Sequence, residues 1–117
     1  MRPFIKRGLA LMAAITGLAS VQPALAASNT CWMSTPPFKC TTSSVHANPR
    51  GNFVHIDVSP RVRYKVYDSA NGAVVGSGTS PWTGARRTIT GLYGSYHVSA
   101  EALNASPIPA FVTINND

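Results

Sequence analysis

The sequence has few of the groups from which catalytic or metal sites are built. Only four of its 117 residues are acidic, and only two are cysteines. It contains no glycine-rich phosphate loop that opens a helix, no acidic calcium loop, no Gly-x-Ser-x-Gly elbow and no carboxylate pair spaced for glycoside hydrolysis. We therefore expect no enzymatic activity, no cofactor and no metal centre.

The N-terminal segment, residues 1–26, has the features of a secretory signal peptide. Three basic residues precede an apolar run at 8–20, and a small-x-small cleavage site ends at Ala26. The apolar run is shorter than the ~20 residues that a membrane span needs, which favours cleavage over a stable anchor. We expect a secreted protein that begins at Ala27, or a periplasmic one if the source has an outer membrane.

Removal of this segment leaves a smaller positive charge than the whole sequence has. Three of the ten basic residues lie in the segment, so seven remain against four acidic residues. This excess is small, and no nucleic acid partner is expected. The remainder is long enough for one small domain over 27–117. We divide it into a disulfide-tied N-terminal segment at 27–50 and a β-sandwich core at 51–117.

The two cysteines, Cys31 and Cys40, both lie after the cleavage site. An even pair in an oxidising compartment predicts a disulfide. The bridge ties down Pro36-Pro37, and we expect the bridged loop to lie outside the strands. A zinc site is the alternative, but the sequence has no second pair of Cys or His residues in zinc-like spacing.

Alternation of apolar and polar residues indicates several β-strands after residue 50. Residues 53–58, 62–67 and 110–114 alternate, and Asn71-Gly72 is a hairpin signal. The stretch that follows this turn predicts a strand that weakens at its glycines. With no helical periodicity, the pattern predicts a small antiparallel β-sandwich. Six inward positions should share its core: Ile56, Tyr64, Val66, Ile89, Tyr96 and Val98.

One stretch resembles a known structural corner. Residues 88–98, which read TITGLYGSYHV, resemble the E-to-F corner of immunoglobulin-like and fibronectin type III-like sandwiches. In that pattern a strand ends at a Leu, a glycine-containing turn follows, and a Tyr opens a strand that alternates with Val. The resemblance implies an immunoglobulin-like sandwich in which the Tyr96 hydroxyl bonds back to the corner backbone. It implies no activity, because this architecture carries many unrelated functions.

Five basic residues are candidates for a surface that binds anionic ligands. Arg61, Arg63 and Lys65 alternate along one predicted strand, and Arg86-Arg87 begins a later one. If they converge, they form a patch able to bind phosphate, sulfate or carboxylate polymers. The alternative is a solubilising strand face that protects the sheet from edge pairing.

The sequence as a whole indicates an exported binding or interaction protein, whose partner is an anionic polymer or another protein. One alternative is a secreted inhibitor of an extracellular hydrolase, because a disulfide-constrained loop loses little entropy on binding. Another is a minor hydrolase. His55 and Asp57 share a strand face, and a base oriented by a carboxylate is part of a hydrolase triad. Trp32 and Trp82, predicted in loops, serve either as binding platforms, including for sugars, or as caps on the core.

Overall fold

The computed structural model describes residues 26–117, so the signal-peptide prediction lies outside the described residues except for its final alanine. These residues form nine strands and no helix, and hence no helix that could span a membrane. The all-β prediction is confirmed. The strands are β1 (Ser28–Met33), β2 (Lys39–Thr41), β3 (Val45–His46), β4 (Phe53–Val58), β5 (Val62–Asp68), β6 (Val74–Thr79), β7 (Ala85–Thr90), β8 (Ser95–Ala102) and β9 (Ala110–Asn115).

The strands of residues 26–117 form two antiparallel sheets. Sheet I has the order β1-β9-β4-β7, and sheet II has the order β2-β8-β5-β6, with β3 also paired to β8. Within β4, β5 and β8, buried residues alternate with more exposed ones. Each sheet therefore turns one face towards the other sheet and one face towards solvent, as expected for a sandwich.

The core lies between the inner faces of the two sheets. Ile56 of β4, Val66 of β5 and Val98 of β8 have no exposed surface. All six residues that the sequence predicts as inward belong to this one buried cluster. The prediction succeeds because a period of two fixes which side chains share a face of a strand.

The segment at 27–50 supplies strands to both sheets. Cys31 lies on β1 at the edge of sheet I, and Cys40 lies on β2 at the edge of sheet II. Their disulfide, with the two Cα atoms 5.9 Å apart, joins the sheets. The disulfide is confirmed, but the bridged loop lies outside the strands only at residues 34–38, because both cysteines are strand residues. The bridge also indicates an oxidising environment, as found outside the cytoplasm.

β6 continues through the two glycines that were expected to weaken it. A Cβ atom at Gly76 would lie 2.6 Å from the side chain of Ile89, and one at Gly78 would lie 3.0 Å from the Tyr64 hydroxyl. The glycines therefore make room for two core side chains that lean against this edge strand. Their backbone still pairs with β5.

The predicted role of Tyr96 at the corner is confirmed. Its hydroxyl oxygen accepts hydrogen bonds from the backbone N–H groups of Tyr93 and Gly94, both at 3.1 Å. These bonds tie the turn between β7 and β8 to the strand that follows it. The ring itself is buried in the core.

Several loops pack together at one end of the sandwich, which we call the loop end. The N–H of Arg61 donates to the carbonyl of Pro81 at 3.3 Å, and the N–H of Leu103 donates to the carbonyl of Arg61 at 2.9 Å. The buried Ser80 hydroxyl donates to the carbonyl of Ser59 at 2.6 Å and accepts from the N–H of Val62 at 2.8 Å. These bonds hold the β4–β5, β6–β7 and β8–β9 connections together.

Candidate functional site

The outer face of sheet II carries three basic side chains, and we call it the basic face. Arg63 and Lys65 lie on β5, and Lys39 lies on β2, with all three exposed. Lys39 and Arg63 are both paired with Glu101 of the intervening strand, from its two sides. The sheet register therefore places the three cations around one stretch of β8.

A depression of about 430 Å³ lies on this face. Its charged lining residues are the three cations and Glu101, so positive charge is in excess. The volume is in the range of ordinary small-ligand sites, although the depression is open to solvent on one side. Neutral polar groups complete its surface: Thr41, Tyr67 and Ser99.

Glu101 does not neutralise the basic face. The nearest nitrogen of Arg63 lies 3.8 Å from Glu101 Oε1, and the two side chains are 57% and 43% exposed. An ion pair this exposed contributes little to stability, because water screens both charges. The Arg63 guanidinium is therefore engaged only by a weak internal pair.

An aromatic pair extends the basic face along β5 and β8. The rings of Tyr67 and His97 are stacked, with centroids 5.4 Å apart and planes inclined by 19°. Ser69 Oγ lies 2.7 Å from His97 Nδ1, and Ser44 Oγ lies 2.7 Å from Ser69 Oγ. The serine contacts hold the His97 ring on which Tyr67 stacks, and Tyr67 itself lines the depression.

Arg61 does not join the row of cations to which the sequence assigned it. It precedes β5, in a turn where its φ is 58°, and its side chain turns away to the loop end. The Arg61 guanidinium carbon lies 5.1 Å from the ring centroid of Trp82, a cation–π distance. The left-handed backbone conformation of Arg61 breaks the alternation that led the sequence analysis to group it with Arg63 and Lys65.

Arg86 and Arg87 are also separate from the basic face. Arg86 lies on β7 of sheet I, with its Nη1 3.6 Å from Asp57 Oδ1 on the outer side of that sheet. Arg87 Nη1 donates to the carbonyl of Ser77 at 2.8 Å, which links β7 to the β6 edge. The five predicted residues therefore occupy different surfaces, and only Arg63 and Lys65 stand together.

Comparison of the chain with protein-family models, curated proteins and solved structures finds no match.

His55 and Asp57 share the outer face of β4, as the sequence indicates, but each contacts a different partner. His55 Nδ1 lies 2.8 Å from Thr88 Oγ1, and Asp57 faces Arg86. A catalytic triad requires a carboxylate that orients the imidazole. Asp57 does not orient His55 in this arrangement. Within residues 26–117, no cluster of three or more His, Cys, Asp or Glu side chains is placed to hold a metal ion.

Both tryptophans are exposed, so of the two alternatives for them, the one in which they cap the core is wrong. Trp32 is 57% exposed and lies on β1, not in a loop. Trp82 is 63% exposed and lies in the β6–β7 connection, as predicted. The segment at 34–37, inside the disulfide loop, is exposed as well. Its use in inhibiting a hydrolase stays a prediction.

Lys39 is the member of the basic face that sequence reasoning missed. It begins a strand of only three residues, which is too short to show an alternating pattern. Its neighbour Cys40 carries the only usable signal. Because Cys40 faces the core, the residues on either side of it must face outward on the same sheet.

Proposed function

We propose that the protein is an exported binding protein, without enzymatic activity, that holds an anionic polymer on the basic face. The supporting observation is the placement of Lys39, Arg63 and Lys65 around one depression with a single carboxylate among them. Sulfate, phosphate or carboxylate groups along a polymer are the ligands that such an arrangement suits. The N-terminal segment and the disulfide support a location outside the cytoplasm.

The spacing of the cations supports a polymeric ligand with repeated charges. Arg63 and Lys65 are two residues apart on β5, which is about 7 Å by strand rise. Lys39 lies two strands away from Arg63, which is about 10 Å by strand separation. Arg63 offers a planar fork for two oxygens of one anionic group, and the lysines act as point charges on its neighbours.

We also propose that the chain resembles immunoglobulin-like sandwiches over a limited region. The hydrogen bonds of Tyr96 support it at the β7–β8 corner. The last strand departs from it, because β9 lies between β1 and β4 in sheet I. In constant-type immunoglobulin domains the last strand joins the sheet of the strand before it. We infer that the likeness is restricted to the corner, and we draw the function from the site alone.

Charge reversal tests the proposed function. The chain from Ala27 should be retained on a sulfated or phosphorylated resin at low salt and released as salt rises, because the Debye length is only about 8 Å at physiological ionic strength. The double variant Arg63→Glu/Lys65→Glu should pass through the resin. Its thermal midpoint should stay close to that of the wild type, since both side chains are exposed.

The matched control is Arg86→Glu/Arg87→Glu, which changes the net charge by the same amount on other surfaces. It should be retained nearly as well as the wild type. Equal loss in both double variants would show that retention follows net charge alone. If the wild type does not bind the resin even at low salt, the basic face serves only as a solubilising surface.

A further inference from the structure

A row of residues crosses the outer face of sheet I near the loop end, and we call it the aromatic strip. Trp32 on β1 pairs with Phe111 on β9, and their ring centroids are 5.4 Å apart. Ser59, which follows β4, continues the row: its N–H donates to the Phe111 carbonyl at 3.1 Å, and its hydroxyl accepts from the Phe111 N–H at 2.8 Å. Gly84, which precedes β7, ends it. Trp82 lies two residues before Gly84 in the β6–β7 connection.

The aromatic rings of this strip are held in place but not covered. Trp82 is fixed from one side by the Arg61 guanidinium, and Trp32 is fixed by Phe111, yet both tryptophans are more than half exposed. Large rings left in water forgo the free energy that burial of their apolar surface yields. Two exposed rings held in this way, Trp32 at one end of the strip and Trp82 in the connection that leads to the other end, point to a ligand that stacks on them.

A trough of about 690 Å³ lies along the strip. Gly84 forms part of its floor. Its φ is 77°, and a Cβ atom there would lie 2.9 Å from the carbonyl oxygen of Val58, so no side chain rises from this position. Phe111 and Thr113 line the side nearer β1, and Thr83 lines the side nearer Trp82.

The polar groups of the trough are balanced in charge. In the next row of the sheet, Thr30 pairs with Thr113, Thr113 with Asp57, and Asp57 with Arg86. Asp57 and Arg86 are 3.6 Å apart and cancel each other in net charge. The row still offers a carboxylate acceptor, guanidinium donors and the linked hydroxyls of Thr30 and Thr113, which lie 2.6 Å apart.

We propose that the aromatic strip and the adjoining polar row bind a neutral oligosaccharide. Sugar rings have apolar faces that stack on aromatic rings and hydroxyl edges that both donate and accept hydrogen bonds. A strip four strands wide is about 14 Å long, which suits a short length of such a chain. An anionic polymer fits less well here, because Asp57 faces the ligand and no excess of cations balances it. This site is independent of the basic face, which lies on the opposite sheet.

Gel electrophoresis in the presence of soluble neutral polysaccharides tests the proposal. The probes are hydroxyethyl cellulose, laminarin, xylan and galactomannan, each included in a native gel. At least one should retard the chain from Ala27, and Trp32→Ala should weaken that retardation about tenfold in apparent Kd, the loss of a good stacking contact. Trp82→Ala should also weaken it. Retardation by none of the four would overturn the proposal.

Two controls distinguish binding at the aromatic strip from binding elsewhere on the protein. Tyr93→Ala removes an aromatic side chain that is 74% exposed at the opposite end of the sandwich, and it should leave the retardation unchanged. Arg63→Glu/Lys65→Glu should also leave it unchanged, as should added salt, which distinguishes this site from the basic face. If the wild type is a dimer and Trp32→Ala makes it a monomer, a second copy of the chain covers the aromatic strip. That result would contradict the oligosaccharide proposal.

Discussion

Ile56→Ala is expected to lower the free energy of unfolding by about 2–5 kcal/mol. Ile56 lies in β4, between β7 and β9, and has no exposed surface. Its replacement removes buried apolar atoms and leaves a cavity that neighbours on both sheets fill only in part. For a domain of this size such a loss is a large share of the total stability, and urea denaturation measures it.

The control for this substitution is Thr90→Ala on the adjacent β7. Thr90 is exposed on the outer side of the same sheet, so its loss should change stability by less than about 1 kcal/mol. Similar effects from the two substitutions would mean that the inner and outer faces of sheet I are wrongly assigned. A slip of one residue in a strand exchanges all its inward and outward side chains.

Cys31→Ser/Cys40→Ser is expected to lower the free energy of unfolding by roughly 2.5–3 kcal/mol, the loop-closure term for a bridge of this short span. The bridge joins an edge strand of sheet I to an edge strand of sheet II. Without it, each of these edge strands is paired to a single neighbour, β1 to β9 and β2 to β8. Hydrogen exchange should therefore become faster in these two strands, while β4, β5 and β8 stay protected.

The same variant distinguishes a local role of the bridge from a global one. Urea denaturation of the wild type with and without a reductant provides the matched comparison, because reduction should reproduce the loss in the double variant. Loss of protection throughout the core would show that the disulfide holds the whole sandwich together. Free thiols in the protein isolated under non-reducing conditions would contradict the bridge itself.

Alternation with a period of two predicts the strands that have a neighbouring strand on each side and one face buried in the core. β4, β5 and β8 each have one buried and one solvated side, and their inward residues are readable directly. The Tyr96 corner was also predictable, because it depends on local spacing between a leucine, two glycines and a tyrosine. Local patterns of this kind need no knowledge of which strands pair.

The composition of the basic face was predictable only in part. Arg63 and Lys65 follow from alternation within one strand, but the addition of Lys39 depends on the pairing of β2 with β8. The separation of Arg86 depends on the assignment of β7 to the other sheet. Both are long-range facts, and residues of one chain with the same charge carry no signal of which sheet they join.

Arg61 and β1 show two further ways in which local reasoning is incomplete. Arg61 has the spacing of a strand residue, but a left-handed turn and the Trp82 ring draw it away. β1 carries a polar sequence whose inward residues, Asn29, Cys31 and Met33, alternate too weakly to predict a strand. Pairing to β9 and the disulfide hold it in the sheet, so tertiary contacts override its weak pattern.

The outer face of sheet II is the proposed binding surface for an anionic polymer. The most direct test is an NMR titration of the ¹⁵N-labelled chain from Ala27 with a sulfated oligosaccharide at low salt. The largest amide shifts should fall on Lys39, Arg63, Lys65 and their strand neighbours, and the amide of Arg86 should be unaffected. Largest shifts on β7 or at residues 34–37, or no shifts at all, would contradict it.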